Sequence, residues 1–243
     1  MNQGIVARSC ALEGDIDAIE FPPDGKLRWR KIVRRSGSRP TGKYPSWKMQ
    51  RMVQWESHNE LNALRLLDAD PSVTAFHEQP LRIAYTLRGE KHFHIPDILV
   101  ICARGKFIWE VKTKSHAAQA DVADRTSLLS ALLPNYGYSY QVVLAEDLAC
   151  KPRLAVIRQV LNLGRYEVPP TAREHIRSTL ANSAALVTWG SVMDGVFGPK
   201  GKHHVCRLML EGVLDWHTDE LLASDTVIQP RHASCQPLFI GGA

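Results

Sequence analysis

Apolar residues recur along this chain with two periods, and each change of period marks a new element. Leucines at 61, 64 and 67, with Met52 and Val53 one to two turns earlier, predict a helix over residues 49–68 with one buried face. Asp70-Pro71 ends it. The period then drops towards two, so 73–76 and 81–87 read as short strands. Residues 94–101 and 106–112 are Ile/Val-rich runs on either side of Ala103-Arg104-Gly105, the pattern of a β-hairpin. Helical spacing returns over 121–133, with Leu128, Leu129, Leu132 and Leu133 inward, and Pro134-Asn135-Tyr136-Gly137 stops it. A buried strand follows over 138–145. This order predicts an α/β core with a mixed sheet flanked by helices.

Beyond Cys150-Lys151-Pro152 the composition shifts, and Pro169-Pro170 makes a second break. Helices are expected over 152–163, 171–185, 189–196 and 202–212, with 214–216 and 226–228 as a small β-wing. Short helices followed by a wing give a mostly helical, winged-helix-like region over 151–230. Lys200, Lys202 and Arg207, with His203 and His204, would then lie where such modules meet a DNA groove. The competing reading is a plain helical cap. The organisation expected is an N-terminal arm over 1–48, a catalytic domain over 49–150, the helical region, and a tail over 231–243.

Charge changes the picture mainly at the N-terminal end. The 243 residues carry a formal net charge of +5 and are 44% hydrophobic and 23% charged, ordinary values for a folded chain. Residues 1–25 are acidic and poor in apolar side chains, and read as a loosely held lead-in. From Lys26 to Trp55 there is no Asp or Glu, while Arg28, Arg30, Lys31, Arg34, Arg35, Arg39, Lys43 and Lys48 accumulate with Trp29, Tyr44, Trp47 and Trp55 among them. Such a block suits a polyanion: cations meet phosphates and aromatic planes stack on bases. It reads as an arm laid along DNA. A solubilising basic stretch is the alternative. Five scattered cysteines without a C-x-x-C pair fit a reducing cytoplasm rather than a zinc ribbon. Neither a signal peptide nor a membrane span is expected.

The candidate chemistry lies on the hairpin. Alternation places Phe107, Trp109 and Val111 on one face of the second run and Ile108, Glu110 and Lys112 on the other, and Asp97 can meet them across the turn if the strands pair in register. Carboxylates at Asp97 and Glu110, with the Val111 carbonyl, are hard oxygen ligands suited to Mg²⁺ or Mn²⁺. Lys112 can orient or deprotonate a water, or steady charge on a phosphate. These are the needs of phosphodiester hydrolysis. A surface salt bridge between Glu110 and Lys112 is the competing reading. His92-x-His94 shares a face but lacks further ligands at zinc spacing, and Gly198-Pro199-Lys200-Gly201-Lys202 lacks the full phosphate-loop pattern.

Glu56-Ser57-His58-Asn59-Glu60-Leu61, Leu64-Arg65-Leu66-Leu67, Asp70-Pro71-Ser72-Val73, Glu78-Gln79-Pro80, Pro96-Asp97 and Glu110-Val111-Lys112 together resemble the TnsA endonuclease subunit of heteromeric cut-and-paste bacterial transposons over about residues 50–148. The resemblance implies a restriction-endonuclease-like core. It implies Glu60 as a helix-borne acid, Asp97 and Glu110 as metal ligands and Lys112 as the catalytic lysine, with Glu56 as the rival of Glu60. It further implies a cytoplasmic bacterial protein that nicks the 5′ ends of double-stranded transposon DNA. Its partners would be an RNase H-like transposase and an AAA+ ATPase regulator. A stand-alone nuclease of resolvase or restriction type, or a non-catalytic DNA-binding assembly module, are the rival functions.

Overall fold

The computed structural model describes residues 13–23, 25–30, 32 and 40–231. At its centre is a four-stranded mixed sheet of β4 (Val73–Glu78), β7 (Ile98–Cys102), β8 (Gly105–Lys112) and β9 (Tyr138–Leu144), in that order. β4 and β8 flank β7 antiparallel, and β9 runs parallel to β8. A parallel neighbour needs a crossover; α2 (Lys114–Ala117) and α3 (Ala120–Leu132) supply it. The hairpin closes with Cys102 opposite Gly105, as the sequence predicts.

Alternation along these strands separates two layers of core. Ile98, Val100, Trp109 and Val111 face α1 (His58–Ala69), which contributes Leu64 and Leu67. Leu99, Ile108 and Tyr140 face Leu128 and Leu129 of α3. Each fully buried leucine contributes about 1.5–3 kcal/mol, so α1 and α3 are held chiefly by these stripes.

Three expectations change at the N-terminal side. The 49–68 helix is two elements: β3 (Arg51–Trp55), antiparallel to β2 (Gly42–Ser46), then α1. Met52 is exposed and Val53 buried, an alternation that belongs to the strand, while Ser57 starts the helix by accepting the Glu60 N–H at 3.1 Å. The lead-in is not loose along its whole length. Gly14–Glu20 forms β1, antiparallel to β5 (Arg82–Leu87), and β6 (Glu90–His94) completes that second sheet. Ile16 is buried there, and a Cβ at Gly14 would stand 2.5 Å from the Thr86 carbonyl oxygen. Nor is 40–48 an arm. Tyr44 and Ser46 bond the buried Asp68 carboxylate at 2.6 Å each, so the β2–β3 turn is pinned to the far end of α1.

The C-terminal part comprises α4 (Ala145–Leu148), α5 (Arg153–Leu163), α6 (Pro170–Asn182), α7 (Trp189–Met193) and α8 (Gly201–Leu210). Val156 and Val160 of α5 and Val205 and Met209 of α8 belong to the same buried cluster as α1. The segments expected to form a wing pair in a shifted position: Leu214 bridges Pro230 antiparallel, just beyond 226–228, with Asp215 N–H donating to the Gln229 carbonyl at 2.9 Å and Arg231 N–H to that of Val213 at 3.0 Å, while Ile228 N–H donates to the Val187 carbonyl at 2.8 Å. Ile228 and Val187 are both buried, which draws 226–228 beside the entry to α7. No helix among the described residues is long and apolar enough to cross a membrane.

Candidate active site

Asp97 occupies the non-strand residue just before β7, and strand pairing sets Ile98 opposite Trp109 of β8. Register therefore brings the Asp97 side chain to the Val111 backbone, whose N–H donates to Asp97 Oδ2 at 2.7 Å. The Gln79 N–H donates to the Asp97 carbonyl at 2.9 Å and fixes its backbone as well. In a strand the N–H and C=O of one residue point towards the same neighbour, so the Val111 carbonyl opens to the Asp97 side.

Glu110 is 3% exposed, far too buried for a solvated surface pair. Its Oε1 lies 2.6 Å from Lys112 Nζ and 3.8 Å from an Arg125 nitrogen. Its Oε2 lies 3.2 Å from His94 Nε2, but without hydrogen-bond alignment, so this buried oxygen has no donor properly aimed at it. Tyr140 Oη also approaches His94 Nε2, at 3.3 Å.

Electrostatics separates the acids. Burial pushes Glu110 up, yet His94 and Lys112 outweigh it and hold the carboxyl at about 2. Asp97 goes well above the carboxylate range, through crowding by protein first and then through Glu110 and Glu60. Glu60 is also raised, by burial foremost, while hydrogen bonds from Glu56 N–H and the Ser57 hydroxyl oppose the shift. Burial lowers Lys112, but Glu110 and Asp97 more than restore it, so the ammonium remains charged. The result is an ionised Glu110–Lys112 pair beside two acids that resist ionisation for want of positive charge.

The chemistry of such a place suits a hard cation. Among the described residues no three His, Cys, Asp or Glu side chains are grouped to hold a metal, and Mg²⁺ commonly uses only one or two carboxylates, keeping waters and phosphate oxygens for the rest. The pair Asp97 and Glu110, the orphaned Oε2 and the Val111 carbonyl fit that donor set.

Glu60 and Glu56 are distinguished by position. Glu56 precedes the helix cap and is occupied by Arg30 at 2.9 Å and the Gln79 amide at 3.1 Å, whereas the charge of Glu60 reaches Asp97 and Lys112. His94, Arg125 and Tyr140 were not expected at the centre. The one signal for His94 was its place three residues before Asp97; nothing local marks the other two, which arrive through the crossover and β9.

Several of the cations expected on DNA make internal contacts instead. Arg28 and Arg51 clamp the buried Glu78, and Arg30 holds Glu56. Lys48 Nζ donates to the Leu67 carbonyl at 2.8 Å and also to that of Asp70. α1 has no basic residue in its last turn, so Lys48 satisfies its unpaired carbonyls instead. Arg207 pairs with Glu211 at 2.7 Å and lies 4.3 Å above the Trp47 ring. Lys43 and Lys200 are exposed and Lys202 half-buried. Lys31, Arg34, Arg35 and Arg39 lie outside the described residues.

No curated protein matches the chain. Residues 70–144 match the family model for the TnsA-like endonuclease N terminal, a stretch that includes Asp97, Glu110 and Lys112 and leaves Glu60 just outside. Over those residues the chain therefore carries a TnsA-like endonuclease N-terminal domain, a domain of the nuclease class.

Proposed function

We propose that the chain is a metal-dependent DNA endonuclease subunit of a cut-and-paste transposition complex, hydrolysing a phosphodiester at the 5′ ends of the element. The observation that carries this reading is the meeting of Asp97, Glu110 and Lys112 on paired strands, with Glu60 in electrostatic reach. Asp97, Glu110 and the Val111 carbonyl would hold Mg²⁺, or Mn²⁺ in its place; such an ion neutralises phosphate charge and makes a water more acidic. Lys112, kept charged by its carboxylate neighbours, orients the attacking water and stabilises charge developing on the phosphate oxygens. Glu60, on the helix beside this pair, is the base that takes the proton the water loses. His94 and Arg125 fix Glu110 from the other side.

The family likeness supports the remainder: an RNase H-like transposase as the partner acting on the 3′ ends, an AAA+ ATPase as regulator, and a restriction-endonuclease-like core. The winged-helix-like reading of 151–230 rests on its helix order, with Lys200 and Lys202 at the start of α8 as the DNA-facing groups.

Strand-specific nicking of transposon-end duplex, with the partner transposase and Mg²⁺, tests the assignment. Asp97→Ala and Lys112→Ala should each lose roughly 10²-fold or more, and chelation of the divalent ion should abolish nicking by the wild type. Equal rates in all three proteins would overturn it.

A further inference from the structure

With Arg28, Arg30, Lys48 and Arg207 committed to internal contacts, positive charge free to meet a ligand must lie elsewhere. It gathers in a cleft of about 220 Å³ between the β2–β3 hairpin, α1 and α5. Lys43, Arg65, Arg158 and Arg165 line it, with no carboxylate among the lining residues. Lys43, Arg158 and Arg165 are exposed and Arg65 is half-buried. Among the described residues Arg65 bonds only the Asn62 side chain, at 3.2 Å, and none of the four is ion-paired to a described residue.

Two features mark this as a site rather than an ordinary basic surface. Arg65 and Arg158 are close enough that Arg158, after burial itself, makes Arg65 harder to keep charged. Like charges gathered around a concavity raise the free energy of the empty state, and an anion relieves it. Trp55 also lines the cleft, and its buried indole N–H finds no acceptor among the described residues. The charged side chains of the lining are all cationic. The adjoining cavity, of about 390 Å³, shares Arg165 but contains Asp68 and Glu167, and so lacks that bias.

The size and chemistry suit one phosphate group held by several guanidiniums. Arg65 lies five residues beyond Glu60 on α1, about 7.5 Å further along the axis and about 140° around it, so the cleft is separate from the Asp97–Glu110 site. We propose that this cleft binds a single backbone phosphodiester of DNA away from the scissile bond, with Arg65, Arg158 and Arg165 as its clamp and Lys43 at its rim. The assignment rests on the DNA-cleaving function proposed above.

The test is duplex binding by the full chain, followed by fluorescence anisotropy across a range of salt concentrations. The proteins are the wild type, the double variant Arg158→Ala/Arg165→Ala and its conservative counterpart Arg158→Lys/Arg165→Lys. One phosphate contact is worth about 0.9 in the slope of log K against log salt. The alanine pair should therefore lower the slope by about 1 and weaken binding roughly eightfold at about 0.1 M salt. The lysine pair should recover most of both. A wild-type slope in the alanine pair overturns the cleft while leaving the nuclease assignment intact. Failure of the wild type to bind duplex at all overturns both. A parallel arm adds inorganic phosphate at constant ionic strength. Displacement of DNA no greater than by chloride supports a backbone site, whereas saturation at submillimolar phosphate would make this a free-phosphate pocket and overturn the DNA assignment.

Discussion

Glu78 offers the sharpest test of how the N-terminal segment is held to the central sheet. Its carboxylate is 2% exposed and accepts from Arg28 at 2.9 and 3.0 Å, from Arg51 at 2.6 and 2.9 Å, and from the Gln54 N–H at 3.1 Å. Replacing it by Ala strands two guanidiniums whose side chains are each 17% exposed and leaves the Gln54 N–H without this acceptor. Removing one partner of a buried ion pair costs about 3–5 kcal/mol, a large part of a total of about 5–15. For a chain of this size each kcal/mol moves Tm by about 2–4 °C, so Glu78→Ala should melt about 6–20 °C below the wild type at pH 7. Burial pushes the Glu78 carboxyl up, but the Arg51 contacts and backbone donors win and hold it below its ordinary value. A depressed folded pKa means the stabilisation is present above the unfolded pKa, about 4.3, and is lost as pH falls through the folded one. The gap between wild type and variant should therefore narrow steadily below about pH 4.3. Thermal melts followed by circular dichroism at pH 7 and down to pH 3 give both numbers. A drop under about 2 °C at pH 7, or a gap that does not change with pH, would refute this account. Gln79, the next residue, holds the Asp97 carbonyl, so the same variant should also slow nicking.

Further outcomes concern α1 and the second core layer. Glu60→Gln, which keeps the helix cap, should reduce nicking by roughly 10²-fold or more, while Glu56→Gln stays within about threefold, the scale of an exposed ion pair worth 0.2–1 kcal/mol; reversed effects in the same assay would exchange the two acids. Burial lowers Lys48 to about 8 despite Asp68 and Asp70. Between that value and the ordinary lysine pKa the unfolded chain binds more protons, so stability from this group rises with pH, on the order of 2 kcal/mol after allowing for partial exposure. Urea titrations at pH 7.5 and 9.5 should show that rise in the wild type and not in Lys48→Met. Leu129→Ala, at a fully buried position against the sheet, should cost about 2–5 kcal/mol, read from the shift in urea midpoint.

What was legible in the sequence was what local pattern encodes. The hairpin at 98–112, α3 and β9 appear because alternating or helical spacing is carried within each segment. Asp97 and Lys112 could be brought near Glu110 by register alone. The 51–55 strand was hidden because Met52 and Val53 happened to continue the leucine periodicity of α1. β1 was hidden because its inward residues include only one large aliphatic at a fully buried position, Ile16, among acidic neighbours. Part of the basic block reads differently in the fold for a physical reason: charge without carboxylates nearby in sequence reads as free, yet Glu78 and Glu56 come from farther along the chain to pair with Arg28, Arg51 and Arg30. His94, Arg125 and Tyr140 meet only when three separate elements are assembled. The same holds for Arg65 and Arg158, on α1 and α5, whose proximity has no sequence signature.

The way α1 is fastened at both ends has a mechanical consequence. Glu60 bonds the chain entering the helix, and about 18 Å away the leaving end is gripped by Lys48 and Trp47, the latter stacked under Arg207 of α8. A rod so fastened does not fray or pivot freely; it travels as a unit. Any load placed on the C-terminal helices by a docked protein or DNA would be delivered to the catalytic centre as a displacement of Glu60 relative to Asp97, making this helix the pushrod between the two ends of the molecule.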